Sequence, residues 1–246
     1  MLVLCCVWFH AGRREVRVAT FNIENFPRDE RQIEGAFDLI AELDVPIVAV
    51  QEIVEPAVFR DAARARLGAQ FRFVTNAGGP DQRLGVLFDG ALYSLAYART
   101  HGETQLDGRG KPALEVRLRR RGSGRAIRLF VVHLKAGGDF AHERREQLRR
   151  LAPILEEAVA SWDEVVVLGD FNATGPEDRQ TIERLAAQLG LFWASEGLEC
   201  TSYWNRSDGC RGSALDHILS REAPTQIAAR GPCETVGCHP GDRCPT

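Results

Sequence analysis

The stretch Val165-Val166-Val167-Leu168-Gly169-Asp170-Phe171-Asn172 decides how this chain is interpreted. Its aliphatic run predicts a fully buried strand, and two polar side chains follow directly where that strand ends. A buried carboxylate is destabilising by several kcal/mol unless it is paired or holds a cation. The segment therefore predicts a strand that places functional side chains at one end of a sheet.

Other strand-like segments end in the same way, with a polar residue of the metal-binding or acid–base type. They are Phe21-Asn22, Val50-Gln51-Glu52 and Val132-His133, while Ala214-Leu215-Asp216-His217-Ile218-Leu219 carries its polar pair inside a strand. Because burying such a residue is unfavourable each time it recurs, we expect these side chains to converge on one site.

The periodicity of the remaining chain predicts an α/β fold. Helical spacing covers about 29–43, 56–68, 143–159 and 177–189, with Asp29 as a helix cap, and a block of strands fills 71–135. This order predicts a single domain with two stacked mixed β-sheets flanked by helices. The last 25 residues, rich in Gly, Pro and Cys, are predicted to form irregular loop.

Composition sets limits on the function. The chain has 246 residues, 44% of them hydrophobic, and a formal charge of −3, which differs from the strongly basic character of a protein that coats DNA. Lysine occurs only at Lys111 and Lys135, so the abundance of arginine is not counted as evidence for nucleic acid. No apolar run is long enough for a transmembrane helix, and we expect no stable membrane insertion after residue 10.

The two ends of the chain raise the question of export. Residues 1–12 are interpreted as the remnant of a signal or anchor segment, with a first β-strand as the alternative, and residues 13–246 as the domain. Five cysteines lie in the last fifth of the chain, at positions 200, 210, 233, 238 and 244. Their spacing contains no C-x-x-C pair, so disulfides in a secreted or periplasmic protein are favoured over a zinc site.

An ordered set of motifs resembles the endonuclease/exonuclease/phosphatase superfamily, which includes deoxyribonuclease I and exonuclease III. The motifs are Thr20-Phe21-Asn22-Ile23, Gln51-Glu52, Arg83-Leu84-Gly85-Val86-Leu87-Phe88, His133-Leu134-Lys135, Gly169-Asp170-Phe171-Asn172 and Leu215-Asp216-His217-Ile218-Leu219. Each alone is weak, but together they follow the family's order over residues 16–220. The resemblance implies a four-layer α/β sandwich and hydrolysis of phosphoesters with a divalent metal.

The resemblance also implies which residues form the metal site. Glu52 matches the family's metal-binding glutamate, and Asn22 matches the asparagine beside it. A carboxylate with an amide oxygen and water is the oxygen-rich set that Mg²⁺ or Mn²⁺ prefers. We therefore expect Mg²⁺, or Mn²⁺, as the cofactor.

The remaining site residues are assigned by the same resemblance. Asp170 and Asn172 match residues that orient the attacking water and hold the phosphate, and His133 matches a general acid or phosphate contact. Asp216 matches the aspartate that orients a catalytic histidine, whereas His217 is expected to be structural. Two further phosphate contacts are predicted just beyond the motif strands, at Arg83 and Arg144.

The chain departs from the family at its end. The family closes with Ser-Asp-His, whereas this sequence closes with Gly241-Asp242-Arg243-Cys244-Pro245-Thr246. Either Arg243 replaces the histidine, which it cannot do as a base because it stays protonated, or the motif lies beyond the given residues. We favour an incomplete C-terminal end, with His239 as a weak substitute for the base.

The leading hypothesis is metal-assisted, in-line hydrolysis of DNA or RNA by a monomeric nuclease. A basic segment could contact the nucleic-acid backbone or be a solvated hairpin tip; it comprises Arg117, Arg119, Arg120, Arg121, Arg125 and Arg128. One alternative is a sphingomyelinase- or inositol-phosphatase-like phosphoesterase. Another is a catalytically impaired relative that acts as a binding module.

Overall fold

Two β-sheets packed face to face organise the part of the chain that the computed structural model describes, which is residues 4–11, 14–76, 82–106, 111–206 and 209–231. The first sheet contains β1 (Leu4–Ala11), β2 (Arg14–Phe26), β3 (Ile47–Ile53), β4 (Phe71–Thr75), β5 (Arg83–Asp89) and β14 (Pro224–Arg230). The second contains β6 (Tyr93–His101), β7 (Ala113–Arg120), β8 (Ala126–His133), β9 (Glu164–Asp170), β10 (Phe192–Trp193) and β13 (Asp216–Ser220). A separate hairpin joins β11 (Ser202–Arg206) to β12 (Gly209–Ser213).

Strand order shows that both sheets are mixed. The first runs β14-β1-β2-β3-β5-β4 and the second β10-β13-β9-β8-β7-β6. Within the described residues, β2 pairs with β3 and β8 with β9 in parallel, and the other neighbours are antiparallel. Each parallel pair is connected through a helix, as parallel strands require, and its two strands therefore end at the same edge of their sheet.

Helices complete the layers on the outer faces. They are α1 (Glu30–Leu43), α2 (Pro56–Arg66), α3 (Ala141–Val159) and α4 (Pro176–Leu189). The sheets meet through apolar side chains such as Val86 and Leu168, while Phe37 and Phe59 of α1 and α2 pack on the first sheet. Leu148 belongs to the matching core between α3, α4 and the second sheet. The predicted four-layer α/β sandwich is confirmed.

The local signals that predicted the helices are visible at their ends. The side chain of Asp29 accepts a hydrogen bond from the backbone N–H of Gln32 at 2.8 Å, so the predicted cap of α1 is confirmed. α4 begins with Pro176 and ends at Leu189, and the Gly190 that follows has φ +63°. Glycine is favoured in this left-handed conformation because it has no Cβ.

Both ends of the described chain are paired in the first sheet. Residues 4–11, interpreted from sequence as part of a leader with a strand as the alternative, form β1, which lies between β2 and β14. The prediction of irregular loop after residue 222 is wrong for β14, since Pro224–Arg230 pairs along β1. Its alternation is weak in sequence, and the strand forms because β1 offers a backbone edge. No helix among the described residues is long and apolar enough to cross a membrane.

Candidate active site

The strand ends that carry polar residues in the sequence meet at one end of the sandwich. His133, the last residue of β8, lies opposite Asp170 in the parallel register of β8 and β9. Asp216, the first residue of β13, lies opposite Asp170 on the other side. From the facing sheet, Asn22 forms the last regular pair between β2 and β3 and lies opposite Gln51, next to Glu52.

Asn22 connects the two sheets at this point. Its amide nitrogen donates to Glu52 Oε1 at 3.1 Å and to Asp170 Oδ2 at 2.9 Å, although Asn22 and Asp170 are 148 positions apart in the chain. Its amide oxygen accepts the backbone N–H of Glu24 at 3.0 Å. One side chain thus holds a carboxylate from each sheet close together.

The backbone is locally strained around these side chains. Five non-glycine residues in the described chain have positive φ, and Asp44 is the left-handed cap that ends α1. The other four, Glu24, Asn25, Glu52 and Asn172, all lie at this site. Non-glycine residues in this conformation cost about 1–2 kcal/mol each and persist where the surrounding structure imposes them, commonly at functional sites.

Gly169 is required where β9 delivers Asp170. Its φ is +143°, and a Cβ at this position would lie 2.0 Å from the carbonyl oxygen of Val132 in β8. Any other residue would push β8 and β9 apart, directly beneath His133 and Asp170. The glycine of this motif is therefore explained by close strand packing.

The carboxylates at the site repel each other in a buried place. Burial, reinforced by the charge of Glu52, raises the pKa of Asp170 to about 6, against hydrogen bonds from Asn22 and from the backbone of Asn172. Burial and then the charge of Asp170 raise the pKa of Asp216 well above its usual value. A divalent cation would relieve this excess of negative charge.

His133 faces the same carboxylates through one ring nitrogen. Its Nε2 lies 3.8 Å from Glu52 Oε1 and 3.7 Å from Asp170 Oδ2, while Lys111 Nζ lies 3.0 Å from Nδ1. Since an ammonium group only donates, Nδ1 accepts, and the neutral ring carries its proton on Nε2. Burial, with a further contribution from Lys111, holds the pKa of His133 well below its usual value, so the ring acts as a hydrogen-bond donor at neutral pH.

Asp216 retains an oxygen without a partner. Its Oδ2 accepts from the hydroxyl of Thr201 at 2.9 Å, but its Oδ1 is buried and has no hydrogen-bond partner among the described residues. Such an atom is costly to leave unpaired, and it is a suitable acceptor for a histidine N–H. The terminal segment with Arg243, and the weaker candidate His239, lie outside the described residues.

The neighbouring His217 has a different role. It is buried between Phe171 and Trp193, and its Nδ1 accepts the indole N–H of Trp193 at 3.2 Å. Burial lowers its pKa to about 3, so the ring is neutral. This placement agrees with the structural role expected for His217.

Comparison with known proteins identifies the family of this chain. The model of the Endonuclease/Exonuclease/phosphatase family matches residues 19–237. The chain belongs to this family. Its members are hydrolases that act on phosphodiester or phosphomonoester bonds. Among curated proteins, none matched the sequence.

Solved structures of family members share the fold. The catalytic domain of human Nocturnin with a bound sulfate anion superposes with a TM-score of 0.67 at 19% identity, covering 84% of this chain and 82% of that one. Zebrafish (D. rerio) TDP2 complexed with a single-strand DNA product gives 0.66 at 16% identity, covering 86% and 85%. A mannosyl-6-phosphatase from Bacteroides thetaiotaomicron gives 0.64 at 15% identity, covering 83% and 85%.

The donor set at this family site fits a hard divalent cation. Glu52 Oε2 accepts from the backbone N–H of Asn25 at 3.1 Å and from Gln82 at 2.7 Å, which holds the carboxylate in place beside Asp170. Within the described chain, no three His, Cys, Asp or Glu side chains form a ready-made cage. Mg²⁺ is commonly bound by one or two carboxylates with water and phosphate oxygens. Asn22 would become a ligand through its oxygen only if its amide turned by half a rotation.

The two predicted arginine contacts differ in placement. Arg83 follows Gln82 and lies opposite Ile53, one residue beyond Glu52, so a phosphate contact from it stays a prediction. Arg144 is 1% exposed, and its guanidinium is bound to Asp178 and to loop carbonyl groups. The geometry does not support a phosphate contact from Arg144, because its donors are directed into the protein.

The basic segment of the sequence does not line the site. Arg117 is ion-paired with Asp163 and Arg128 with Glu115. The turn between β7 and β8 precedes Ala126, whereas His133 ends the same strand, roughly 20 Å away at the usual rise per residue. This placement favours the solvated hairpin tip over a backbone contact near the site.

Two residues at the site were missed from sequence. Lys111 contacts His133, and Gln82 contacts Glu52, yet both lie in turn-like sequence without periodicity. One signal was available, because this chain uses arginine almost throughout and has only two lysines: Lys111 bonds to His133, and Lys135 follows His133 by two positions. Asn172 was recognised; its amide donates to the carbonyl of Leu134 at 3.0 Å and ties the loops after β8 and β9 together.

Proposed function

We propose that this chain is a Mg²⁺- or Mn²⁺-dependent phosphodiester hydrolase that cleaves nucleic acid by in-line attack of water. The observation that carries the proposal is the joining of Glu52 and Asp170, from opposite sheets, through the amide of Asn22. His133 Nε2 lies within 4 Å of both carboxylates. This arrangement supports the proposal, because it would bring oxygen ligands, a base and a hydrogen-bond donor within reach of one phosphate group.

Each side chain has a distinct task in this proposal. Glu52, with Asn22, would hold the cation, whose charge stabilises the developing negative charge on the phosphoryl oxygens. Burial raises the pKa of Asp170, a bound cation would favour its ionised form, and in that form it would align the attacking water and accept its proton. His133 donates its Nε2 hydrogen to a phosphoryl oxygen. Asp216 offers Oδ1 to a partner that orients the water.

Positive side chains around the site are suited to the phosphate. Lys111 lies beside His133, and the charges of Glu52 and Asp170 favour its protonated form against the effect of burial, which lowers its pKa. Arg83 is half-buried at the start of β5, next to Gln82. The similarity to TDP2 complexed with a single-strand DNA product supports nucleic acid as the substrate.

Nicking of supercoiled plasmid tests this proposal. With Mg²⁺ or Mn²⁺ we expect cleavage that is abolished by EDTA and by Glu52→Gln. Asp163→Asn is the matched control, because it removes a carboxylate from an ion pair at the opposite end of the second sheet, and it should cleave normally. A folded protein that neither cleaves DNA or RNA nor releases phosphate would contradict the proposal and favour the impaired relative that binds without cleaving.

A small phosphoester is the second candidate substrate. A cleft of about 710 Å³ lies beside the loops that follow β8 and β9 and is lined by Asp139 and Glu177. Acidic walls disfavour a polyanion and suit a hydroxylated or cationic group. The similarity to a mannosyl-6-phosphatase is consistent with this candidate. Phosphate release from sugar and inositol phosphates, measured beside plasmid nicking, distinguishes the two substrates.

We further propose that the protein is exported as a monomer and that its late cysteines form disulfides. Cys200 is buried beside the hairpin of β11 and β12, and the side chains of the other four late cysteines lie outside the described part. Intact mass of the protein from culture medium or periplasm, before and after reduction and alkylation, tests the pairing. Fully reduced cysteines in an unprocessed cytoplasmic protein would contradict export.

A further inference from the structure

Arg144 is a cation placed where a helix does not favour one. It lies in the first turn of α3, close to the positive end of the helix dipole, and its side chain is 2% exposed. A buried guanidinium at such a position requires strong compensation. Its only ion-pair partner in the described chain is Asp178, in the first turn of α4, at 2.7 and 2.8 Å.

The remaining donors of Arg144 bind two particular loops. Its Nη1 donates to the carbonyl groups of Lys135 at 2.9 Å and Gly137 at 2.7 Å, in the loop after β8. Its Nη2 donates to the hydroxyl of Thr174 at 3.2 Å, in the loop after β9. Asp178 accepts the backbone N–H of Thr174 at 3.0 Å, which fixes the second loop from the opposite side.

Two of these anchor points lie two residues from side chains of the candidate site. Lys135 follows His133 by two positions, and Thr174 follows Asn172 by two. The loops also contact each other directly, through the bonds from Leu134 N to Asp170 O at 2.9 Å and from the amide of Asn172 to Leu134 O at 3.0 Å. Asn172 also has φ 49°, a left-handed conformation that is uncommon for a residue other than glycine.

We propose that Arg144 and Asp178 act as one positioning unit that joins the two loops and sets His133 and Asn172 against Asp170. Both oxygens of Asp178 are bound by Arg144, and one also accepts from Thr174, so although Asp178 lines the edge of the cleft, neither residue is placed against the reacting phosphate. The unit acts through the loop backbone, and the inference rests on the proposed function of the same site. A displacement of about 1 Å in such a site can lower a rate by about 100-fold, so loss of the unit should affect turnover more than binding.

The test is Asp178→Asn, with Asp163→Asn as the matched control. Both changes remove the charge from an arginine-bound carboxylate, but the Arg117–Asp163 pair lies at the opposite end of the second sheet. In Asp178→Asn we expect kcat to fall about 10- to 100-fold with KM within about twofold. In Asp163→Asn both constants should stay unchanged. An unchanged kcat in Asp178→Asn would overturn the proposal.

Amide hydrogen exchange provides a second readout that does not need activity. The N–H groups of Asn172 and Leu134 bond to Asp170, and in Asp178→Asn they should exchange at least about tenfold faster, while the N–H of Arg221, bonded to Val165, is unaffected. Equal acceleration throughout the sheet, or none, would overturn the positioning role. A wild-type protein that hydrolyses no phosphoester would instead contradict the proposed function, and the exchange data would still decide the positioning.

A milder pair of variants covers the case in which Asp178→Asn does not fold. Thr174 is exposed, so its replacement should be tolerated. Thr174→Val removes the hydroxyl that Arg144 binds and should accelerate exchange at Asn172 to a smaller extent. Thr174→Ser retains the hydroxyl and should exchange like wild type. Equal exchange in both variants would contradict the proposal.

Discussion

Buried carboxylates lie in two clusters of side chains in this protein, and the two clusters have opposite electrostatics. In the active-site cluster of Glu52, Asp170 and Asp216, burial and mutual repulsion raise the pKa of both aspartates. The second cluster centres on Glu115 of β7, on the face of the second sheet that points away from the first. Burial alone would raise the pKa of Glu115, but hydrogen bonds from His101, Tyr97 and Arg128 outweigh it and lower the pKa to about 2.

The difference lies in the donors that each carboxylate receives. Glu115 accepts from Tyr97 Oη at 2.5 Å, from Arg128 Nε at 2.8 Å and from His101 Nε2 at 3.0 Å. The two active-site aspartates receive fewer and uncharged donors: Asp170 accepts from Asn22 and from the backbone of Asn172, and Asp216 Oδ2 accepts from Thr201. Asp216 Oδ1 has no partner among the described residues. At Glu115 the donors stabilise the buried negative charge and with it the fold. At the active site the buried negative charge is left unfavourable, and a cation and substrate can relieve it.

The largest expected effect comes from Asp170→Asn. We expect phosphoester hydrolysis to fall by about 100- to 10,000-fold, because the base is lost while the shape is kept. The melting temperature of the metal-free protein should stay equal or rise, since a repelling charge is removed. Initial rates with Mn²⁺ and thermal unfolding in EDTA measure the two quantities. A lower melting temperature would show that the negative charge of Asp170 stabilises the fold, as that of Glu115 does, and would contradict the difference between the two clusters.

The reverse pattern is expected for Glu115→Gln. Removing this charge leaves Arg128 buried without its partner, so the free energy of unfolding should fall by about 3 kcal/mol. The rate of hydrolysis should stay within about twofold below the unfolding transition. Urea unfolding and steady-state kinetics provide the measurements. A large loss of activity at full folding would indicate that the Glu115 cluster also supports the reaction.

The smallest expected effect is the pH dependence of stability in EDTA. The pKa of Asp170 in the folded protein is raised from 3.8 to about 6. Its contribution to the free energy of unfolding therefore falls as pH rises from about 4 to 6, and this fall should be absent in Asp170→Asn. The pKa of Glu115 in the folded protein is lowered from 4.5 to about 2. Its contribution to the free energy of unfolding is therefore lost as pH falls through that range, and this loss should be absent in Glu115→Gln. Urea unfolding at several pH values tests both signs. The same sign at both groups would refute the distinction.

Sequence patterns predicted the fold and the site residues where the signal is local. The aliphatic run before Gly169 and the polar residues at strand ends identified Asn22, Glu52, His133 and Asp170, and the polar pair expected inside a strand identified Asp216, which in fact begins β13. The structure brings these five residues together. The catalytic and metal-binding roles of these residues stay predictions. Lys111 and Gln82 were missed because turns without periodicity carry no such signal.

Arg144 illustrates the opposite case, a residue that sequence position alone misplaced. It follows a motif strand, which suggested a phosphate contact, but the direction of a side chain depends on the partner that it finds in space. Asp178 is 34 positions away and lies on another helix. Because long-range pairing decides the direction, the guanidinium points into the protein and joins two loops.

The sequence by itself determined the alternation of strands and helices, the buried strands and the polar residues at their ends, because periodicity and the cost of burying charge act locally. Only the tertiary structure decided which of these residues meet. It placed Asn22 between Glu52 and Asp170, paired β14 with β1, and gave Glu115 and Asp170 opposite pKa shifts. Such properties depend on the donors and charges that packing brings within about 4 Å, and their distance along the chain does not reveal them.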